Sequence, residues 1–265
     1  MPFVEVESPL LPGKPSPIHV RESGQGDPLV VLHSGWGWEA YPFDRQLAAL
    51  GDEFRIVAPD RVGYGRSPAL GTLRDGYHQE YAQETLAVMD ALGIERAALW
   101  GHSDGAVIAA WMAVLAPQRV RGVVLEAVHF FRAKVASIDF FRTADRNPET
   151  FGPQVVDALR RDHGDPRWRE IVGEGARAWL RIIERGQAEG GDVYDGRLGE
   201  IACPVLFLHG TRDPRTEPGE IEAARTVLRD GRIAWIDASH SPHSSPRAAD
   251  EATRLAARFL RTLPP

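Results

Sequence analysis

The sequence is short of several things at once. Among its 265 residues there is one cysteine, Cys203, and only two of the 31 basic residues are lysines, Lys14 and Lys134. A lone cysteine excludes an intrachain disulfide and a cysteine-only metal site, and it points to a reducing, cytoplasmic setting. The scarcity of lysine reads as a compositional bias and carries no functional information. Positive charge is also in deficit: 31 Lys+Arg against 37 Asp+Glu give a formal net charge of −6. Such a chain lacks the basic face that nucleic-acid phosphates or an anionic membrane require. No apolar run approaches the roughly 18 residues of a membrane span. The first ten residues, MPFVEVESPL, carry two glutamates and no basic-then-apolar secretory pattern. Repeats and low-complexity tracts are absent. The partner expected is a small-molecule substrate, with neither nucleic acid nor membrane; the oligomeric state stays open.

What is present is ordinary globular composition, with 43% hydrophobic and 26% charged residues. The length suits one large α/β domain or a core with one insertion. Short apolar runs alternate with longer stretches of helical period, which predicts a mostly parallel sheet flanked by helices. The expected strands are Pro28–His33, Phe54–Ala58, Ala97–His102, Val120–Val128, Pro204–His209 and Ile233–Ile236. The expected helices run roughly over Tyr41–Leu50, Tyr77–Leu92, Gly105–Leu115, Glu220–Leu228 and Ala248–Leu260. An N-terminal hairpin, with Ser23-Gly-Gln-Gly-Asp-Pro28 as its turn, precedes the parallel part, and eight strands are expected in the sheet. The alternation breaks between about His129 and Arg197, where the pattern is helical, arginine-rich and aromatic. This divides the chain into a core of residues 1–128 and 197–265 and an inserted helical lid of residues 129–196.

The strongest chemical signal is Gly101-His-Ser-Asp-Gly105, directly after a strand and directly before a helix. In that context G-x-S-x-G forces its central serine into a strained turn and lifts the hydroxyl above the sheet. The helix N-terminus behind it favours developing negative charge. A serine needs a base, and the base needs an acid to orient it. Asp213 leaves the end of a strand in His209-Gly-Thr-Arg-Asp213, and His240 follows the last strand in Ala238-Ser-His240, so the order Ser, acid, His is satisfied. His243 is the rival base. No H-E-x-x-H helix is present, and no metal site is expected. Gly63-Tyr-Gly65 lacks the third glycine of a dinucleotide fingerprint, since Pro68 stands there.

Together with His33-Ser-Gly-Trp-Gly37 and Asp60-Arg-Val-Gly-Tyr-Gly65, these segments resemble the landmarks of the α/β-hydrolase superfamily over nearly the whole chain outside the lid. The resemblance implies the α/β-hydrolase fold, a triad of Ser103, Asp213 and His240, and no cofactor. It also implies an oxyanion hole formed by the backbone N–H of Asp104 and one from Gly35, with Trp36 as the alternative. Ser34 departs from the pattern, because the family usually has glycine there. Asp104 departs too. A carboxylate 4 Å from the oxyanion would oppose it by about 4 kcal/mol at an effective dielectric of 20. Asp104 must therefore point away, be paired, or meet a cationic group on the substrate. The Ser-Asp pair and His209-Gly-Thr-Arg-Asp213-Pro are similar to the valacyclovir hydrolase (biphenyl hydrolase-like) branch, whose members cleave amino-acid esters.

The activity this implies is a serine hydrolase cleaving a small carboxylic ester, thioester or lactone through an acyl-enzyme on Ser103. Carbon–carbon bond hydrolysis and perhydrolase or haloperoxidase-like activity use the same triad and remain alternatives. A slow-turnover small-molecule receptor of the same fold is the alternative of another class. Serine as nucleophile argues against haloalkane dehalogenase and epoxide hydrolase activity, which use a carboxylate there. His129, Trp168 and Trp179 are candidate substrate contacts, as is Asp104. Tyr194, Phe140 and Phe141 either join them in an apolar pocket or form the lid's own core.

Overall fold

In the computed structural model, residues 2–264 are described. Eight strands form one sheet: β1 (Phe3–Val6), β2 (Ser16–Ser23), β3 (Asp27–Leu32), β4 (Phe54–Pro59), β5 (Ala97–His102), β6 (Val120–Glu126), β7 (Val205–Gly210) and β8 (Gly231–Ile236). Their spatial order is β1-β2-β4-β3-β5-β6-β7-β8, and every pairing from β4 to β8 is parallel. Every residue of β5, β6 and β7 is buried. Parallel strands covered on both faces read as continuous apolar runs, which is why these segments stand out in the sequence. Alternate side chains serve opposite faces: Val30 and Leu32 join one core, Leu29 and Val31 the other.

The hairpin lies elsewhere than its turn signal suggested. The Ser23–Pro28 turn joins β2 to β3, but β4 lies between them, and β2 pairs with β4. The true N-terminal hairpin is β1 with β2, antiparallel from Phe3↔His19 to Val6↔Ser16. Turn residues show where a chain reverses and not which strand it then pairs with.

The helices α1 (Asp44–Leu50), α2 (Tyr77–Ala91) and α3 (Asp104–Leu115) sit among the first six strands. Between β6 and β7 come α4 (Ile138–Arg146), α5 (Pro153–His163) and α6 (Arg167–Glu189), and after them α7 (Glu220–Thr226) and α8 (Ala249–Leu260). The inserted helices build their own apolar cluster from Phe141, Leu159, Trp168, Val172 and Trp179, which also takes in Trp36 from the loop after β3. Among the described residues no helix is long and apolar enough to cross a membrane.

The insertion is fastened at its start by a buried ion pair. Lys134 Nζ donates to Glu220 Oε2, and both side chains are 0% exposed. The other oxygen of Glu220 accepts the backbone N–H groups of Phe130 (2.7 Å) and Phe131 (3.1 Å).

Candidate active site

Ser103 sits between β5 and α3 with φ 55° and ψ −119°, a backbone strained for a side-chain-bearing residue. The flanking glycines are required by contact. A Cβ on Gly101 would lie 2.1 Å from the Gly105 carbonyl oxygen, and one on Gly105 would lie 2.2 Å from that of Leu32. Ser103 Oγ is 3.0 Å from His240 Nε2, and His240 Nδ1 is 2.7 Å from Asp213 Oδ2. Asp213 Oδ1 accepts the backbone N–H of Arg215 at 2.9 Å. The three residues lie in the loops after β5, β7 and β8, at the carboxyl ends of parallel strands, where open α/β sheets place their sites.

His243 is directed away from Ser103. Its Nδ1 is 2.8 Å from Glu126 Oε1, its Nε2 is 3.1 Å from the Tyr41 carbonyl, and its ring stacks on Phe43 at 3.8 Å. His102, Glu126 and His243 bring ligand-type atoms within 4.8 Å of one another. The Glu126 and His243 atoms are already engaged: Glu126 also accepts the Trp100 indole N–H and the His243 backbone N–H, each at 2.9 Å. His102 Nε2 is 3.0 Å from Ser241 Oγ and 3.2 Å from the His240 carbonyl. The cluster therefore braces the loop that carries His240. No local motif marked Glu126 or His102 for that task.

The loop after β3 supplies backbone donors. Trp36 N–H is donated to Ser34 Oγ at 3.2 Å, whereas neither Gly35 N–H nor Asp104 N–H has an acceptor among the described residues. Ser34, the departure from the family pattern, thus shapes the loop. Its carbonyl accepts from Arg61 Nη2 at 2.8 Å, and the His33 carbonyl accepts from Arg61 Nη1 at 3.0 Å. Burial pulls the pKa of His33 well down, with Arg61 adding to the effect, so its ring is neutral.

The same loop is gripped by the end of α5. Asp162 Oδ2 accepts the N–H groups of Trp38 (2.7 Å) and Glu39 (3.1 Å). His163 Nε2 lies 3.0 Å from the Trp36 carbonyl, and its Nδ1 accepts from Gly65 N–H at 3.1 Å.

Asp104 is paired. Its Oδ1 accepts the Trp179 indole N–H at 2.7 Å and lies 3.4 Å from His78 Nε2. Gly35 has no side chain, which leaves room for Asp104 Oδ2; a Cβ there would be 2.7 Å away. Burial alone would raise the Asp104 pKa. His78, the Arg61 charge and the Trp179 bond outweigh it and hold the carboxyl below the usual range. The charge that would oppose an oxyanion is thus anchored to its own partners.

A small, partly open space of about 30 Å³ lies beside Ser103, bordered by Gly35, Trp36, Asp104, His129, Phe140, Phe141, Trp179 and Arg215. Its volume suits one or two waters. His129 lines this space, its ring 5.7 Å from that of His240, and burial, with Lys134 and Arg215 nearby, pulls its pKa well down. Phe140, Phe141 and Trp179 line it too. Trp168 does not: it is 0% exposed within the inserted helices, with its indole N–H on Asp165 at 2.6 Å. Tyr194 also lies outside, its hydroxyl donating to the His129 carbonyl. Arg215, on the cavity wall, was not anticipated, because nothing in its local sequence marks it.

The profile of the alpha/beta hydrolase fold matches residues 28–175, and the chain belongs to that family. It is 29% identical over 267 residues to 2-hydroxy-6-oxo-6-phenylhexa-2,4-dienoate hydrolase of Comamonas testosteroni, covering 92% of this chain and 91% of that protein. It is 25% identical over 251 residues to the serine hydrolase BPHL of Homo sapiens, covering 92% and 83%. That agrees with the resemblance of its motifs to the biphenyl hydrolase-like branch. The crystal structure of the enol-lactonase from Burkholderia xenovorans LB400 matches with a TM-score of 0.70 at 22% identity, covering 93% and 97%. The protein is a hydrolase of the α/β family.

Proposed function

We propose that the protein is a cofactor-free serine hydrolase that cleaves a small carboxylic ester, thioester or lactone through an acyl-enzyme on Ser103. The observation that carries this reading is the continuous hydrogen-bond chain Ser103 Oγ, His240 Nε2, His240 Nδ1, Asp213 Oδ2, with steps of 3.0 and 2.7 Å. His240 takes the hydroxyl proton as Ser103 attacks the carbonyl carbon. Asp213 keeps the imidazole in the tautomer with Nδ1–H and stabilises its cation. The unengaged N–H groups of Gly35 and Asp104 receive the oxyanion, an interaction worth several kcal/mol when the donors are fixed beforehand. His240 returns its proton to the leaving group, then activates water to release the acid. Helices α4–α6 act as a lid over residues 129–196, with His129 and Trp179 touching substrate and Trp168 holding the lid together. The site of action in this reading is the cytoplasm, and the partner is a small molecule.

The test is labelling with a fluorophosphonate probe, together with turnover of 4-nitrophenyl esters of graded chain length. Ser103→Ala should abolish labelling and lower kcat by about 10³-fold or more. Wild-type activity should fall on acidification, because His240 must be neutral to accept the Ser103 proton. Turnover surviving in Ser103→Ala would sink the reading. The similarity to the 2-hydroxy-6-oxo-6-phenylhexa-2,4-dienoate hydrolase supports carbon–carbon bond hydrolysis as a second reading. A vinylogous diketo acid turned over in preference to every ester would favour it.

A further inference from the structure

The triad and the oxyanion donors leave one charged side chain of the cavity unaccounted for. Arg215 stands in the wall shared by the space beside Ser103 and an outer hollow of about 430 Å³. Tyr41, Phe140 and His240 border both spaces as well. The guanidinium carbon lies 4.5 Å over the Phe140 ring. Arg215 has no ion-pair partner among the described residues. The two acids whose charges act on it are occupied: Asp213 by His240 and by the Arg215 backbone, Asp104 by Trp179 and His78. Arg215 is half-buried, and the contrast with two fully buried cations is plain. Lys134 is held by Glu220, and Arg61 by two carbonyls.

A guanidinium partly withdrawn from water without a counter-ion gains from an anionic partner. Burial pulls the Arg215 pKa down, and the Tyr41 side chain and the Asp213 and Asp104 charges only partly oppose this. Such a cation is ready for an anion that arrives with the substrate. A lone guanidinium offers one planar fork, which matches one carboxylate. A phosphate would call for a cluster of cations, and among the described residues Arg215 is the only lysine or arginine bordering either space.

We propose that Arg215 is a substrate-binding residue that receives a carboxylate, so that the compound hydrolysed at Ser103 is an anionic ester, thioester or lactone whose charged end reaches toward the outer hollow. This rests on the serine-hydrolase reading above and narrows it.

The experiment compares kcat/KM for matched substrates in wild type, Arg215→Gln and Arg215→Lys. One pair is mono-4-nitrophenyl glutarate against 4-nitrophenyl butyrate, with the charge on the acyl part. The other is 4-carboxyphenyl acetate against phenyl acetate, with the charge on the leaving group. The anionic-to-neutral ratio divides out any general disturbance of the neighbouring triad. In one of the pairs it should fall about 10- to 100-fold in Arg215→Gln, as expected for losing one charge-assisted hydrogen bond. Arg215→Lys should retain part of it. A ratio unchanged in both pairs would overturn the assignment while leaving the serine hydrolase standing. Wild type provides a check that needs no variant. Glutarate should inhibit 4-nitrophenyl butyrate hydrolysis more strongly than glutaramide, and equal inhibition counts against the proposal. If wild type neither hydrolyses neutral esters nor reacts with a fluorophosphonate, the serine-hydrolase reading fails and this inference falls with it.

Discussion

Replacing His163 with leucine strips partners from two buried backbone groups at once. The Trp36 carbonyl loses its imidazole donor at 3.0 Å, and the Gly65 N–H loses its acceptor at 3.1 Å. An unsatisfied buried polar group costs about 1–3 kcal/mol, so the substitution should destabilise the fold by about 2–6 kcal/mol. Urea unfolding at pH 7.5 measures that cost. The rate of fluorophosphonate labelling should fall as well, because Trp36 belongs to the loop that presents Gly35. The same contacts fix a dependence on pH. His163 bonds as a neutral ring, and burial, partly opposed by Asp162, pulls its pKa below the ordinary 6.5. Its contribution is therefore fully present above about pH 6.5 and is lost as pH falls toward the lowered folded value. The stability gap between wild type and variant should shrink on acidification. A gap under 0.5 kcal/mol at pH 7.5 with unchanged labelling, or one that grows in acid, would refute the reasoning.

Two further predictions concern buried charge. Lys134→Met leaves the Glu220 carboxylate buried without its cation and should cost about 3–5 kcal/mol by urea unfolding; a loss below about 1 kcal/mol would mean that the carboxylate is hydrated or protonated. Glu84 and His209 should act on stability with opposite signs. Burial raises the Glu84 pKa to about 7, so the stability it contributes is present below pH 4.5 and lost as pH rises through 7. Burial lowers the His209 pKa to about 4, so its contribution is present above pH 6.5 and lost as pH falls toward 4. Glu84→Gln should therefore gain on wild type between pH 5 and 8, by up to about 3 kcal/mol. Equal pH profiles for the two proteins would contradict the Glu84 shift.

The centre of the core was legible because β5, β6 and β7 are buried throughout and read as largely apolar runs. Ser103, Asp213 and His240 follow directly from strand ends, and the structure brings them together. Local turn chemistry could not reveal that β4 would slip between β2 and β3. The inserted helices were harder to read. Trp168 and Trp179 lie about three turns apart on one face of α6, so periodicity treats them alike. At 1.5 Å per residue they are also about 16 Å apart along the axis, and only one of them can overhang Ser103. The groups that finish the site depend on contacts between distant parts of the chain, and no spacing rule records these. Glu126 meets His243, Asp104 meets Trp179, and Arg215 meets Phe140 across the cavity.

If α4–α6 act as the proposed lid over the proposed nucleophile, the Trp179–Asp104 bond couples access to chemistry. On that reading residue 104 offers its N–H to the oxyanion while its carboxylate is held by Trp179 of α6. Raising α6 would take away the indole donor and let water reach that carboxylate. The bond would then act as a latch, and a substrate would have to replace what the latch gives up before any bond is broken. Discrimination between substrates would begin at admission: compounds that cannot compensate for the lost indole contact would be turned away before meeting Ser103.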